Sequence, residues 1–431
     1  MRVGRFGGNV GVDKSFFLAV ASLCLFSLLA RPPIRAAAQS TSGQLSFAPP
    51  IVIPVPGAFP HGIAVGDLNN DGVPDLTVVS SHAGYIYSAL GKGDGTFGSW
   101  LFNVTNSYAY DVALGRFDGQ NVDAVVNNVT NGDAAVLLGA GNGYFPNSTP
   151  LNLNGNFANG FAVGDFNGDE NNDLAVIVDN ALDGSEGVYI FLGNGDGTFQ
   201  TGKVFPTAGE GGAAILAGDF NGDNILDLAV LDARDPKGAP LPRVAVLLGK
   251  GDGTFENPLF FRLPRGFVGP ASNMVAGRFA RNNNLDLAVT GGISGTGVVA
   301  ILLGNGNGTF RKGEVLLGGA PSGVAVADFN GDGKLDLVVA NETGRNELGY
   351  ISVFLGNGDG TFQPPARFAL NGEGPQQVAV ADFNGDGKAD VATVNAIIYS
   401  VSILLNTTPW PASRSMQKIA HDASRLDQLA H

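Results

Sequence analysis

The sequence predicts an all-β fold, a seven-bladed β-propeller of four-stranded antiparallel blades. One observation is an acidic loop motif that recurs seven times with starts 49 to 59 residues apart, a spacing typical of radial arrays of small sheets. A second is composition, because 64 of the 431 residues are glycine and only 15% are charged, as expected for a chain with many tight turns. The loops, numbered 1 to 7, begin at Asp67, Arg116, Asp165, Asp219, Arg278, Asp328 and Asp382.

Each unit contains signals for three strands and a hairpin before the fourth strand. In the sixth unit, residues 324–327 form a small apolar strand before the loop, and residues 337–339 and 351–355 predict the next two strands. Residues 356–362 are a Gly-rich hairpin signal that ends in Phe. We interpret this Phe as a buried turn residue rather than a ligand contact in every unit that has it, namely at Phe97, Phe145, Phe199, Phe255, Phe310 and Phe362.

The third observation is that the two ends of the chain complement each other. The seventh unit stops after its third strand, near Asn406. The segment 45–50 (LSFAPP) resembles 360–365 (GTFQPP), which precedes a fourth strand. Residues 45–55 are therefore predicted to complete the last blade, which would protect its edge.

The first 38 residues read as a signal peptide. A basic start is followed by an apolar run over residues 15–30 and the small residues 36–38. The run is shorter than a membrane span, so we expect cleavage and no transmembrane helix in the mature chain, with an uncleaved anchor as the alternative. The only cysteine, Cys24, lies in this segment, so the mature chain has no disulfide. We expect a secreted, extracellular protein, or a periplasmic or cell-surface one in a bacterium.

Residues 39–406 form the predicted propeller and residues 407–431 a C-terminal tail. The apolar residues Met416, Ile419, Ala423 and Leu426 have helical spacing. A short amphipathic helix that docks on the propeller and a disordered tail are both consistent with this pattern.

The charge of the chain argues for cations as partners. The formal net charge is −14, and removal of residues 1–38 would make it −18. Such a chain argues against nucleic acid as a partner, and a compact fold with this charge repels itself unless cations neutralise it.

The acidic loops have the ligand pattern of a calcium site. In loop 6, oxygen-bearing side chains stand at positions 1, 3, 5 and 9, a carbonyl is available at position 7, and Gly333 at position 6 permits the turn. An Asx-turn loop held by its own side chains is the alternative, and Mg²⁺ is disfavoured because it demands a tighter octahedron. We predict about five Ca²⁺ ions. The predicted ligands are Asp67, Asn69, Asp71, Val73 and Asp75; Asp165, Asn167, Asp169, Asn171 and Asp173; Asp219, Asn221, Asp223, Ile225 and Asp227; Asp328, Asn330, Asp332, Lys334 and Asp336; and Asp382, Asn384, Asp386, Lys388 and Asp390.

Loops 2 and 5 have lost most of this pattern. Both carry Arg at position 1, and calcium binding is not expected there. We hypothesise that Arg116 and Arg278 replace the cation and pair with the remaining Asp123 and Asp286. Sequence drift with a solvated Arg is the alternative.

The repeated Asp-x-Asn-x-Asp-Gly-x-x-Asp motif, together with Phe and Gly319-Ala320-Pro321, resembles FG-GAP/VCBS repeat proteins, which include the propeller of integrin α-chains. The resemblance covers residues 45–406. It implies a seven-bladed, calcium-binding, extracellular interaction module, with metal ligands in loops 1, 3, 4, 6 and 7. No integrin-like leg domain accompanies the repeats, so receptor function is not implied.

Two faces of the predicted ring differ. The acidic loops and the hairpins lie on one face, which we call the loop face, and their sequences are nearly identical from unit to unit. The connections between strands 2 and 3 and between blades lie on the other face, which we call the variable face. Its sequence differs from unit to unit, which suits recognition. That face includes residues 179–187, 232–243, 264–273 and 341–349. Candidate contacts there are His61, His82, Tyr85, Tyr108, Tyr110, Phe157, Arg234, Phe267 and Arg345.

We expect a monomeric binding, adhesion or scaffold module for an extracellular protein or glycan. The alternative is a carbohydrate-active protein, either a lectin or a polysaccharide-degrading enzyme. The sequence has no triad-like His pattern, Gly-x-Ser-x-Gly elbow or Walker loop, which favours a binding protein and leaves catalysis open.

Overall fold

The computed structural model describes strands and loops between residues 45 and 410. The predicted signal peptide and the tail from residue 411 lie outside the described residues. Within them there is no helix and therefore none that could span a membrane. The described ranges are 45–57, 59–82, 84–105, 109–127, 134–154, 157–179, 187–207, 210–234, 242–264, 267, 273–293, 296–317, 319–342 and 348–410.

The described strands form seven four-stranded antiparallel sheets, which confirms the predicted propeller. Each sheet is one blade, with its strands ordered from the ring axis outwards. The strands are β2 (Pro60–Gly66), β3 (Asp75–Ser80), β4 (Tyr85–Ala89) and β5 (Leu101–Val104) in blade 1; β6 (Val112–Gly115), β7 (Asp123–Asn127), β8 (Ala134–Leu138) and β9 (Asn147–Leu151) in blade 2; β10 (Phe157–Gly164), β11 (Asp173–Asp179), β12 (Gly187–Phe191) and β13 (Lys203–Pro206) in blade 3; β14 (Glu210–Gly218), β15 (Asp227–Arg234), β16 (Arg243–Leu247) and β17 (Leu259–Arg262) in blade 4; β18 (Asn273–Gly277), β19 (Asp286–Ile293), β20 (Thr296–Gly304) and β21 (Phe310–Leu317) in blade 5; β22 (Pro321–Ala327), β23 (Asp336–Asn341), β24 (Tyr350–Phe354) and β25 (Ala366–Ala369) in blade 6; and β26 (Pro375–Ala381), β27 (Asp390–Asn395), β28 (Ser400–Leu404) and β1 (Ile51–Pro54) in blade 7.

Burial along a blade explains the sequence of its strands. The second strand is covered on both faces by neighbouring blades, so β23 is buried throughout, and residues 337–340 between its polar ends are all apolar. The fourth strand lies at the rim, and β25 alternates between half-buried and exposed side chains. The first strands line an axial channel of about 460 Å³, which explains their small apolar residues.

The N-terminal segment closes the ring, as predicted. Strand β1 pairs antiparallel with β28, from Ile51 opposite Ile403 to Pro54 opposite Ser400. A bridge between Phe47 and Asn406 extends the pairing. The last blade therefore has four strands drawn from both ends of the chain.

Neighbouring blades are connected by a repeated contact, which we call the blade joint. In six joints, a glycine N–H in the hairpin of one blade donates to the backbone carbonyl at loop position 2 of the preceding blade. Where position 2 is Phe, its ring packs edge-on against the hairpin Phe, with centroids 5.4 to 5.9 Å apart. This agrees with a buried turn role for the hairpin Phe. The glycine-to-position-2 pairs are Gly95 with Phe383, Gly143 with Leu68, Gly197 with Phe117, Gly253 with Phe166, Gly308 with Phe220 and Gly360 with Phe279.

The seventh joint, between blades 7 and 6, uses different residues. Blade 7 has no hairpin, and the side chain of Asn406 takes the place of the glycine by donating from Nδ2 to the carbonyl of Phe329 at 2.9 Å. The same amide group donates to the carbonyl of Ala389 at 3.2 Å. Phe47 replaces the hairpin Phe, with its ring centroid 6.1 Å from that of Phe329. One buried side chain thus completes the ring of joints.

Replacing Asn406 with Ala should destabilise the whole ring. The substitution leaves the buried carbonyl of Phe329 and the half-buried carbonyl of Ala389 without these donors, and the loss at Phe329 alone costs about 1–3 kcal/mol of unfolding free energy. Urea denaturation followed by circular dichroism measures this loss. Asn147→Ala, at an exposed position on β9, is the control and should leave the midpoint unchanged. Equal midpoints for the two variants would contradict the assigned role of Asn406.

Candidate functional site

The five predicted calcium loops share one hydrogen-bonded form. In loop 4, Asp219 Oδ2 accepts the N–H of position 6 at 3.0 Å, and Asn221 Oδ1 accepts the N–H of Asp223 at 2.9 Å. Asp223 Oδ1 accepts the N–H of position 7 at 2.9 Å. The same three bonds occur in loops 1, 3, 6 and 7. These are the Asx-type bonds that the alternative interpretation requires, and in addition Asp219 Oδ1 accepts the N–H groups of Gly222 and Asp223.

The backbone separates these five loops from loops 2 and 5. All five have positive φ at both position 4 and position 6, including Glu170 at 68° and Asn224 at 65°. Loop 2 has one such residue, Gly119, and loop 5 has one, Asn283. Because bulky residues rarely adopt this conformation, Glu170 shows that the turn is imposed by the loop and does not depend on glycine.

The last carboxylate of the loop, at position 9, has the same role in all seven loops. Loop 2 is one residue shorter, so Asp123 is its eighth residue, and we count it with the position-9 residues. The carboxylate is fully buried, and it accepts one N–H from position 2 of its own loop and another from the end of the third strand or from one of the next two residues. In loop 6, Asp336 accepts the N–H of Phe329 at 2.9 Å and that of Gly356 at 2.8 Å. The other six are Asp75, Asp123, Asp173, Asp227, Asp286 and Asp390. This residue therefore orients position 2, whose carbonyl forms the blade joint.

Burial makes the ionised form of these carboxylates costly. It raises the pKa of Asp336 and Asp390 to about 7 and the pKa of Asp75, Asp173 and Asp227 to about 6. The backbone N–H groups lower each pKa, and the carboxylates at positions 1 and 5 raise it further. A cation close to the loop would reverse this effect by favouring the ionised form.

Charge compensation differs among the loops. Among the described residues, the acids of loops 1, 3 and 4 form no ion pair with Lys or Arg. In loop 6 the ammonium group of Lys334 lies 2.9 Å from Asp332 Oδ2, and in loop 7 that of Lys388 lies 3.0 Å from Asp386 Oδ2. Each pair neutralises one of the three acids in its loop.

The donor set of the loops consists of hard oxygens. In the part of the chain that the structure describes, no group of three or more His, Cys, Asp or Glu side chains is arranged to hold a metal ion. A cation in a loop would therefore depend on the Asn at position 3 and the carbonyl at position 7 besides the acids at positions 1 and 5. Calcium accepts such a mixed set, with water completing the shell. The position-9 residues stay predicted ligands through their remaining lone pairs.

The arginines of loops 2 and 5 donate to the backbone and not to the acids that we expected. Arg116 Nη1 donates to the carbonyl of Gln120 at 2.7 Å, and Arg278 Nε donates to that of Asn283 at 3.0 Å. Asp123 and Asp286 accept backbone N–H groups instead. The expected ion pair fails because these carboxylates are buried, whereas both arginines are exposed.

The candidate contacts predicted for the variable face lie in different environments in the structure. Tyr108, Arg345 and the side chain of Arg234 lie outside the described residues, and Phe267 is buried in the core between blades 4 and 5. His61 is half-buried at the channel mouth, where its Nδ1 lies 3.0 Å from the carbonyl of Tyr110, and burial lowers its pKa.

An aromatic cluster lies where blades 7 and 1 meet on the variable face. The ring of Phe59 is 4.5 Å from that of His82 and 5.0 Å from that of Tyr399, between centroids. Phe59 and Tyr399 both have positive φ, at 54° and 50°, which is strained for aromatic residues. Sequence reasoning found His82 but missed the other two, since φ leaves no trace in their identity. Phe102, whose ring contacts that of Tyr85, and Phe157 are both exposed, and neither belongs to this cluster.

The fold and the repeated loops define the class as a β-propeller assembled from acidic-loop repeats. A family profile described as the FG-GAP-like repeat matches residues 165–230, 279–339 and 328–393. The chain thus carries FG-GAP-like repeats on a seven-bladed β-propeller. No curated protein matches its sequence.

Solved structures share the fold at low identity. Two crystal structures of BBS1N in complex with ARL6DN, soaked with lead and with mercury, are 12% and 11% identical, with TM-scores of 0.55 and 0.57. Each covers 86% of this chain and 99% of that chain. The V. cholerae biofilm matrix protein Bap1 is 13% identical over 85% of this chain and 89% of that chain, with a TM-score of 0.47.

The structural role of position 9 predicts a cost that is independent of metal in loop 5. Asp286→Asn replaces an oxygen that accepts backbone N–H groups with an amide group that repels them, which should cost about 1–3 kcal/mol of unfolding free energy. We expect the same loss in calcium and in chelator. Asp227→Asn in loop 4 should lose more in calcium than in chelator. Urea denaturation in both buffers makes the comparison, and equal behaviour of the two variants would contradict it.

The raised pKa values predict a pH dependence that calcium removes. The five carboxylates have folded pKa values of about 6 to 7, above the ordinary value of about 3.9, so the folded chain binds more protons than the unfolded chain between these limits. In chelator, their contribution to the unfolding free energy should therefore fall as pH rises from about 4 to about 7. Denaturation series with calcium and with chelator should diverge as pH rises. Parallel series would refute the prediction.

Proposed function

We propose that the chain is a secreted, calcium-stabilised scaffold whose variable face binds an extracellular protein or glycan. The observation that carries the proposal is the position of the acidic loops. Each loop holds the residue that forms a blade joint, so an ion in the loop stabilises the ring without touching the variable face. Export is supported by the features of residues 1–38.

Calcium would be held by the oxygens of positions 1, 3, 5 and 7 in loops 1, 3, 4, 6 and 7, with position 9 behind them. When bound, the ion supplies positive charge to acids that otherwise repel each other. The shared backbone form supports this assignment, because all five loops have paired positive-φ residues and loops 2 and 5 do not. The absence of a disulfide from the mature sequence gives such an ion a structural task.

The aromatic cluster of Phe59, His82 and Tyr399 supports recognition on the variable face. Two strained aromatic residues and an exposed imidazole form a surface of the kind that stacks against sugar rings or apolar side chains. Strain is retained where the surrounding structure enforces it, often at binding sites. The BBS1N complex with ARL6DN shows that a propeller of this fold accommodates a protein partner.

Binding arrays of extracellular proteins and of glycans would test the proposal. The intact protein should bind in calcium and lose both binding and thermal stability in chelator, because the ions hold the scaffold rigid. His82→Ala should weaken binding without changing the melting temperature, since it removes an exposed ring.

Lys92→Ala is the matched control, at an exposed residue of the same blade on the loop face. It should leave array binding unchanged. Chelator without effect on the melting temperature would refute calcium stabilisation. Equal loss of binding in both variants would refute recognition through the variable face. Turnover of a bound polysaccharide would favour the carbohydrate-active alternative.

A further inference from the structure

Loop 6 differs from the other four predicted calcium loops in its exposure. Position 4 is exposed in loops 1, 3, 4 and 7, whereas Gly331, at position 4 of loop 6, is buried. The carboxylate-bearing Asp328 at position 1 is also buried, with 7% exposure, while its counterparts are half-buried. Something therefore covers loop 6 that the other loops lack.

The cover is the indole of Trp410. A Cβ placed on Gly331 would lie 2.6 Å from Trp410 Cδ2, so the ring rests directly on the loop backbone. At the same position, Gly168 and Gly222 face only a backbone carbonyl of the next hairpin, at 3.9 and 3.8 Å. Blade 7 has no hairpin to offer, and its C-terminal extension carries the indole to this place. The indole N–H is enclosed and has no partner among the described residues.

Both ends of the chain hold this cover in position. The N–H of Thr408 donates to Asn406 Oδ1 at 2.9 Å, and the N–H of Ser46 donates to Thr408 Oγ1 at 3.1 Å. Asn406 is itself fixed to Phe329 in loop 6. Trp410 follows Thr408 by two residues, so the seam between the chain ends places it over loop 6.

We propose that Trp410 is a cover that slows ion exchange at loop 6 and couples that ion to the closure of the ring. The proposal rests on the calcium binding proposed above. An ion leaves a loop as water replaces its ligands, and the indole blocks one approach of water to loop 6 alone. Exchange there requires local opening of the seam, whereas the other four loops exchange directly.

Stopped-flow release of calcium into a chromophoric chelator tests the cover. The wild-type protein should release its ions in a fast phase and a separate slow phase whose amplitude corresponds to one ion. Trp410→Ala should merge the slow phase into the fast one, while Trp410→Phe, which keeps an aromatic ring over the glycine, should retain a slow phase.

A matched pair of loop variants assigns the slow phase without touching Trp410. Asp332→Asn in loop 6 should remove it, and Asp386→Asn in loop 7 should remove an equal amplitude from the fast phase. The pair is matched because both acids stand at position 5 and bind a Lys at position 7. Circular dichroism checks that each variant is folded. If Trp410→Ala does not fold, the two loop variants alone decide whether the slow phase belongs to loop 6.

The outcomes separate this proposal from the calcium proposal. Release of no calcium from the wild-type protein would overturn both. Release of several ions in one fast phase would overturn the cover and leave calcium binding intact. A slow phase that survives Asp332→Asn, or that disappears with Asp386→Asn, would also overturn the cover.

Discussion

Seven buried carboxylates, one at the end of each acidic loop, determine the arrangement of everything around them. Each accepts an N–H from its own loop and another from the end of the third strand, and so fixes the direction of the residue at position 2. That residue then presents its carbonyl to the next blade. A buried N–H without an acceptor is costly, so the loop has few other conformations available. This explains why Asp123 and Asp286 remain in loops that have lost the acid at position 1.

The sequence was sufficient to predict the blades and their closure, because these depend on repeated local patterns. Spacing set the number of blades, and the likeness of residues 45–50 to a hairpin end located the missing strand. The inward direction of the position-9 carboxylate was not predictable, since a ligand and a backbone acceptor have the same residue type. The roles of Asn406 and Trp410 were not predicted, because each occurs outside the repeat and has no equivalent residue in the other units with which to compare it. Phe267 entered the core because neighbouring blades surround it, which no local pattern reveals.

Stability and recognition are separated in space on this ring. The loop face contains the repeated joints, whose hydrogen bonds and Phe pairs leave little room for change. The variable face contains residues that occur only once, among them the strained pair Phe59 and Tyr399. A rigid ring lowers the entropy cost of binding, because its surface residues are held in place before a partner arrives. Residues of the variable face can therefore be substituted without loss of the contacts on the loop face that stabilise the ring.

The pairing of β1 with β28 also determines how the molecule would respond to mechanical load. The strands are antiparallel, and Phe47 and Asn406, the first bridged pair, lie where both chain ends leave the blade. Tension applied between the two termini would peel the strands apart one hydrogen bond at a time, a geometry that resists force less than the simultaneous shearing of a whole strand. The contacts of Ser46 with Thr407 and Thr408 stand directly at the point where peeling would begin. If the protein were tethered through one terminus alone, the load would act between that terminus and a partner bound to the ring. The pair β1 and β28 would then not be pulled apart from its open end.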